Sequence, residues 1–489
     1  MGTDDIKGIL VDLPESEEIQ LSAEAFLKMR RLRILLIRNA RITGGPVDLP
    51  NELRWLEWPD CPLPSMPSGF RARKLVGLNL CHSYITQFGE GFKNCLRYMD
   101  LRGCESLIEI PDFSFIPNLE RLNLGGCSNL VEVHQSVGYL DKLEFFSFEF
   151  CINLKSLPSR FKLRSLGTLL LTGCTKLEAF PDILEEMKLL EKVCLHGTAI
   201  EVLPSSIESL TRLKVLTVTY CKNLNNLRSS IYKLGCLKRL LLEGCSRLDE
   251  FPLTCNGPSL SGFPKLRFLD LQNWKLSGIN FLKYHHCFSM LRNLDLSGND
   301  FARLPQSIRL LNNLRSLKLS NCKKVQEIPE LPMNIKRVEA RDCGSLERFS
   351  QLQRVFNCNE VGKRNKLHAI DFSNCHQLAE NGGKFLEKSL LSKEFRQDLR
   401  IEIFLPGSKI PDWFSFVSEK DSLSFQVASQ KCKKIRALVL CAILSSKTAN
   451  ISCVVFNNGQ NVIMLSRQFF SLESDDMWLN HLVLSRACI

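Results

Sequence analysis

A short leucine phrase returns roughly every 23 residues across most of the chain, and this period constrains the fold more than any other property. One copy reads Leu119, Leu122, Leu124, Cys127 and Leu130; another reads Leu237, Leu240, Leu242, Cys245 and Leu248. Leucines one residue apart lie on the same side of a short extended strand. A unit this short cannot bury its apolar face alone, so neighbours must stack and the core must grow along one axis. The usual length prior of about three globular domains therefore does not apply.

Units can be counted from the paired strand residues, beginning with Leu35/Ile37 and Leu56/Trp58 and closing with Val338/Ala340. They number about fourteen, with the period and Asn-or-Cys position of leucine-rich repeats. The expected fold class is an α/β leucine-rich-repeat solenoid. A curved parallel β-sheet would form its concave face, short helical or irregular segments would form its convex side, and a small all-β sandwich would follow. Residues 1–24 are expected to form an N-terminal strand and cap, using Ile9, Leu10, Val11 and Leu13. Residues 21–29 read as helical, carrying Phe26 and Met29 into the solenoid of residues 25–350. Irregular intervals fall at Thr254–Gly262 and Ser277–Cys287. Residues 351–400 read as a terminal repeat remnant, with Leu367, Ile370, Phe372 and Cys375, and a charged helical connector. Five strand-like runs then occupy residues 401–489: Arg400–Leu405, Ser422–Val427, Ala437–Leu444, Ile451–Phe456 and Val462–Ser466. Short strands separated by turn signals suggest a sandwich, with its completeness left open.

The 21 cysteines do not read as a disulfide framework. Cys61, Cys104, Cys127, Cys151, Cys174, Cys221, Cys245, Cys322 and Cys343 share one ladder position, where a thiol acts as a small buried hydrophobe. So many free thiols fit a reducing compartment. A net charge of +12 is spread along the chain rather than gathered on one element, unlike a nucleic-acid reader. Acidic Asp4, Asp5, Glu15, Glu17 and Glu18 replace the basic-then-apolar pattern of a secretory signal. The longest apolar run, Ala437 to Leu444, is too short to cross a bilayer. The chain reads as soluble and cytoplasmic, without membrane insertion, and with nuclear entry equally open.

Enzyme signatures are missing. Gly362-Lys363-Arg364 and Gly383-Lys384-Phe385 do not complete a phosphate loop, and no HExxH or GxSxG motif occurs. His285, His286 and Cys287 fall short of the four ligands a metal needs. The expectation is no catalytic residue, no cofactor and no metal. The geometric argument is stronger: residues before, between and after each inward leucine pair must point out. This places Tyr98, Arg121, Phe145, Leu170, Lys192, Val215, Arg239, Leu241, Phe268 and Arg337 on the concave face. Phe145, Leu170, Val215 and Leu241 make a broken apolar stripe there. Such a patch with a polar rim marks a protein-binding surface, or else a face covered by the chain's own tail.

Several phrases resemble one plant group. They include Gly2-Thr3-Asp4-Asp5-Ile6-Lys7-Gly8-Ile9, Gln20-Leu21-Ser22-Ala23-Glu24-Ala25-Phe26, Leu53-Arg54-Trp55-Leu56-Glu57-Trp58, Leu203-Pro204-Ser205-Ser206-Ile207 and Asp342-Cys343-Gly344-Ser345-Leu346. The group is the TIR-type nucleotide-binding leucine-rich-repeat immune receptors. The tail phrase running from Phe404-Leu405-Pro406-Gly407-Ser408 to Ile410-Pro411-Asp412-Trp413-Phe414 is similar to the start of that family's C-terminal jelly-roll/Ig-like domain. The resemblance implies a recognition module that binds a pathogen effector or a guarded host protein, with Pro406, Gly407 and Trp413 as further contacts. It also implies that NAD cleavage and nucleotide binding reside in parts this sequence does not show. The alternative is a truncated regulatory or decoy protein, or a gene-model fragment, that associates with full-length receptors.

Overall fold

The computed structural model describes residues 4–44, 48–71, 73–87, 95–248, 251, 262–350, 367, 369–378, 401–406, 438–444, 448–457, 460–470 and 481–487. It divides into two compact units, Met1–Phe268 and Leu269–Ile489. Both contain parallel-strand coils, about 14 turns in all.

In the first unit β1 (Gly8–Leu21) pairs in parallel with β2 (Ile34–Gly44). The strands that follow shorten to three residues: β3 (Trp55–Glu57), β4 (Gly77–Asn79), β5 (Tyr98–Asp100), β6 (Arg121–Asn123), β7 (Phe145–Ser147), β8 (Thr168–Leu170), β9 (Lys192–Cys194), β10 (Val215–Thr217) and β11 (Arg239–Leu241). Each pairs in parallel with the next, with no slip of register between β3 and β11. The middle residue of every such strand, from Leu56 to Leu240, is buried. The second ladder leucine lies just beyond the strand, as Leu124 and Leu242 do, and is buried too. Fully burying such a side chain contributes about 1.5–3 kcal/mol.

The chain turns sharply after each strand because one residue per coil adopts the left-handed region. Gly103, Gly126, Gly173 and Gly244 do so at φ 69°, 77°, 76° and 73°. Each corner is fastened to the next coil, as where the Gly103 N–H donates to the Gly125 carbonyl at 2.8 Å. The next position holds the ladder cysteine. Cys104, Cys127, Cys151 and Cys174 point their thiols at the carbonyls of Leu80, Leu101, Leu124 and Phe148 in the preceding coil, at 3.0–3.1 Å. All are free thiols, as the repeat reading expects.

The opposite side is built from short 3-10 turns, such as Gln135–Tyr139, Ser205–Ser209 and Ser229–Lys233, and two-residue strands such as Glu109–Ile110 beside Glu132–Val133. The helix expected over residues 21–29 is instead a run of tight turns, with Ala25 N–H donating to Ser22, Leu27 to Glu24 and Met29 to Phe26. These bonds close three residues back, the tighter 3-10 spacing, rather than four back as in an α-helix. Phe26 is still buried and Met29 half-buried.

After β12 (Phe268–Asp270), the second unit carries β13 (Asn293–Asp295), β14 (Ser316–Lys318), β15 (Arg337–Glu339) and β16 (Ala369–Asp371). The last four pair in parallel, in order. The Ser277–Cys287 irregularity is a 3-10 segment, Asn280–Phe288, broken at Tyr284. Of the Thr254–Gly262 interval, only Gly262 lies within the described residues. The repeat remnant is a full coil core: Leu367, Ile370, Phe372 and Cys375 are all buried.

The tail is strand-rich, as expected. β17 (Ile401–Pro406) pairs in parallel with β16, and β18 (Leu438–Leu444), β19 (Thr448–Asn457), β20 (Gln460–Phe470) and β21 (His481–Ala487) follow. β21 lies antiparallel between β17 and β18, while β19 and β20 form their own antiparallel pair. The expected strand Ser422–Val427 and most of the expected connector 377–400 lie outside the described residues.

Candidate protein-binding face

Unslipped parallel pairing turns the outward residues of the first unit into straight rows. The first strand position lines up Trp55, Gly77, Tyr98, Arg121, Phe145, Thr168, Lys192, Val215 and Arg239. Phe268 continues the row, its N–H donating to the Lys238 carbonyl just ahead of Arg239. The third position lines up Asp100, Asn123, Ser147, Leu170, Cys194, Thr217 and Leu241. A farther row, beyond the strand ends, holds Arg102, Glu149, His196 and Glu243.

The first row is built from ring and cation contacts. Gly77 leaves room for the Trp55 ring, since a Cβ there would lie 2.3 Å from Trp55 Cε3. Trp55 thereby reaches across β4 and stacks on Tyr98, with centroids 5.7 Å apart and planes 20° from parallel. The Tyr98 hydroxyl donates to Asp100 Oδ2 at 3.1 Å. Burial first, and the Asp100 charge second, push the Tyr98 hydroxyl up to about 12. Arg102 Nε also donates to Asp100, at 3.0 Å, so that buried carboxylate is anchored from both sides. Further along, the Arg121 guanidinium lies 4.5 Å from the Phe145 ring centroid, and Arg239 lies 4.8 Å from that of Phe268. Such a contact contributes about 0.5–1 kcal/mol at an exposed site.

The apolar residues fall into two diagonal pairs, Phe145 with Leu170 and Val215 with Leu241, on neighbouring strands. Diagonal neighbours remain within side-chain reach. β9 separates the pairs with exposed Lys192 and half-buried Cys194. All four apolar residues are half-buried rather than fully exposed. In the second unit Arg337 is exposed and paired with Glu339. Pro406 ends β17, while Gly407 and Trp413 lie outside the described residues.

Sequence reasoning missed two exposed rings. Phe150 and Tyr220 occupy the left-handed corner position at φ 62° and 56°, and they are 62% and 42% exposed. Bulky side chains are rare in that conformation. The available signal was the residue before the ladder cysteine, where neighbouring coils have glycine. Among the described residues, which include His285, His286 and Cys287, no group of three or more His, Cys, Asp or Glu side chains that could hold a metal ion assembles. Among the described residues, no helix is long and apolar enough to cross a membrane.

Repeated three-residue strands, left-handed corners and a thiol ladder define a leucine-rich-repeat protein. Its relatives are more specific. A family model described as the leucine-rich repeats of RPS4B-like disease resistance proteins matches residues 161–367. The disease resistance-like protein DSC1 of Arabidopsis thaliana is 31% identical over 91% of this chain and 42% of its own length. The disease resistance protein RPS4B of the same plant is 29% identical over 91% of this chain and 37% of its own. The TMV resistance protein N of Nicotiana glutinosa is 31% identical over 74% of this chain and 35% of its own. The chain is thus homologous to the leucine-rich-repeat region of plant disease-resistance proteins of the TIR-type nucleotide-binding group, and spans about two fifths of their length. Among solved structures, a leucine-rich-repeat protein of Leptospira interrogans aligns over 78% of this chain and 95% of its own, at 21% identity and a TM-score of 0.43.

Proposed function

We propose that this chain is the recognition module of a plant intracellular immune receptor, binding a pathogen effector or a guarded host protein through the strand face of its first unit. The observation that carries this reading is the outward row containing Trp55, Tyr98, Phe145 and Phe268 with Arg121 and Arg239. Aromatic and arginine side chains dominate the energetics of protein interfaces. Homology to disease-resistance proteins supports the immune role. Arg337 and the tail segment from Pro406 to Trp413 are proposed as separate contacts in the second unit. The module acts without a catalytic step of its own, in the cytoplasm.

The test is a double substitution, Phe145→Glu with Leu241→Glu, assayed for binding to an effector selected by a two-hybrid screen with the unaltered chain. Loss of binding with an unchanged unfolding midpoint supports the reading. Unchanged affinity in the folded variant removes the strand face from the mechanism.

A further inference from the structure

We propose that the first-position row of the strand face docks an acidic, extended segment of the partner protein. This rests on the recognition reading and adds the chemistry of what is recognised. From Trp55 to Phe268 the row contains three cations, Arg121, Lys192 and Arg239, and no carboxylate. All three are exposed. Elsewhere on this face cations are neutralised, Arg38 by Glu57 at 2.7 Å and Arg102 by Asp100 at 3.0 Å. Among the described residues no ion pair engages the three lane cations.

Competing carboxylates are distant, engaged or few. Glu149 and Glu243 belong to the row beyond the strand ends, four residues on from the lane. Just ahead of the lane, Glu120 is engaged by Arg97 and Glu191 by Lys214, which leaves Glu144 there and half-buried Asp270, which accepts from the Gln272 N–H, at the far end of β12, against three cations.

Spacing sets the size of the ligand. Parallel strands lie about 4.8 Å apart, so three steps from Arg121 to Lys192 cover about 14 Å and two more to Arg239 about 10 Å. An extended chain rises about 3.3 Å per residue, so about eight residues cross all three cations. The rings favour a peptide over a single-stranded nucleic acid, which would need open faces for its bases. Phe145 and Phe268 already carry a guanidinium, and Trp55 already stacks on Tyr98. Each arginine lies within 5 Å of its ring centroid, and a guanidinium can grip a carboxylate with two parallel hydrogen bonds.

The experiment measures fluorescence anisotropy of a labelled 12-residue poly-glutamate peptide with the full chain. A triple variant, Arg121→Gln, Lys192→Gln and Arg239→Gln, is compared with a control carrying Lys142→Gln, Lys155→Gln and Lys176→Gln. The lane variant is expected to bind about tenfold more weakly, at roughly twofold per exposed pair, and the control within twofold of the unaltered chain. Charge reversal at the three lane positions is expected to exchange the preference to poly-lysine, a gain that misfolding cannot produce. Equal losses in both triple variants, or tighter lane-dependent binding of a 12-residue oligothymidylate, would overturn the proposal. If Phe145→Glu with Leu241→Glu abolishes partner binding while the lane variant does not affect it, the recognition reading stands and the acidic-segment proposal falls.

Discussion

Single residues close each coil. A ladder thiol buried beside a backbone carbonyl satisfies that carbonyl without introducing charge, and burial raises the cost of ionising it. Cys61, Cys151 and Cys322 are each pushed up to about 12 by burial. The sign follows from linkage: a folded value above the unfolded one stabilises the native state fully below the unfolded value of about 9, and that stability is lost as pH rises toward 12. The unfolding midpoint should therefore fall across that alkaline window. At neutral pH iodoacetamide should label exposed Cys95 long before any ladder cysteine. A midpoint that stays level through the window would contradict the thiol argument. Leu122 is fully buried, and Leu122→Ala should cost about 2–5 kcal/mol in denaturant unfolding. The ladder was legible in the sequence because burial and period coincide there. Phe150 and Tyr220 were not, because a ring says nothing about the left-handed corner beneath it; only the glycines of neighbouring coils do.

At the scale of the element, the three-residue strand places the face. Parallel register was readable from the leucine pairs, and in the structure Tyr98, Phe145, Leu170 and Leu241 occupy the first or third position of their strands. What the residues pair with was not readable, since Trp55 and Tyr98 meet only because Gly77 stands between their strands. Gly77→Ala should displace the Trp55 ring, change the tryptophan fluorescence and cost about 1–3 kcal/mol through overpacking. An unaltered emission spectrum would show that the stack does not depend on that gap. The 3-10 turns of the opposite side were legible only as apolar positions. Residues 21–29 misled because apolar spacing does not distinguish turns bonded three residues back from an α-helix bonded four back.

Over the whole molecule, two units of stacked coils present strand rows, and the tail joins the second unit through β17 beside β16. Four of the five tail strands expected from sequence overlap described strands. β21 was overlooked although Leu482, Val483 and Leu484 form an apolar run, because pairing between distant segments leaves no local periodic mark. The central claim is that the first unit grips a protein with its strand face. Hydroxyl-radical footprinting of the chain alone and in complex with its two-hybrid partner tests this most directly. Protection is expected at Tyr98, Phe145, Leu170 and Leu241, with Phe115 and Tyr139, exposed away from the strands, labelled equally in both samples. Protection of Phe115 and Tyr139 with no change on the strand rows would contradict the claim.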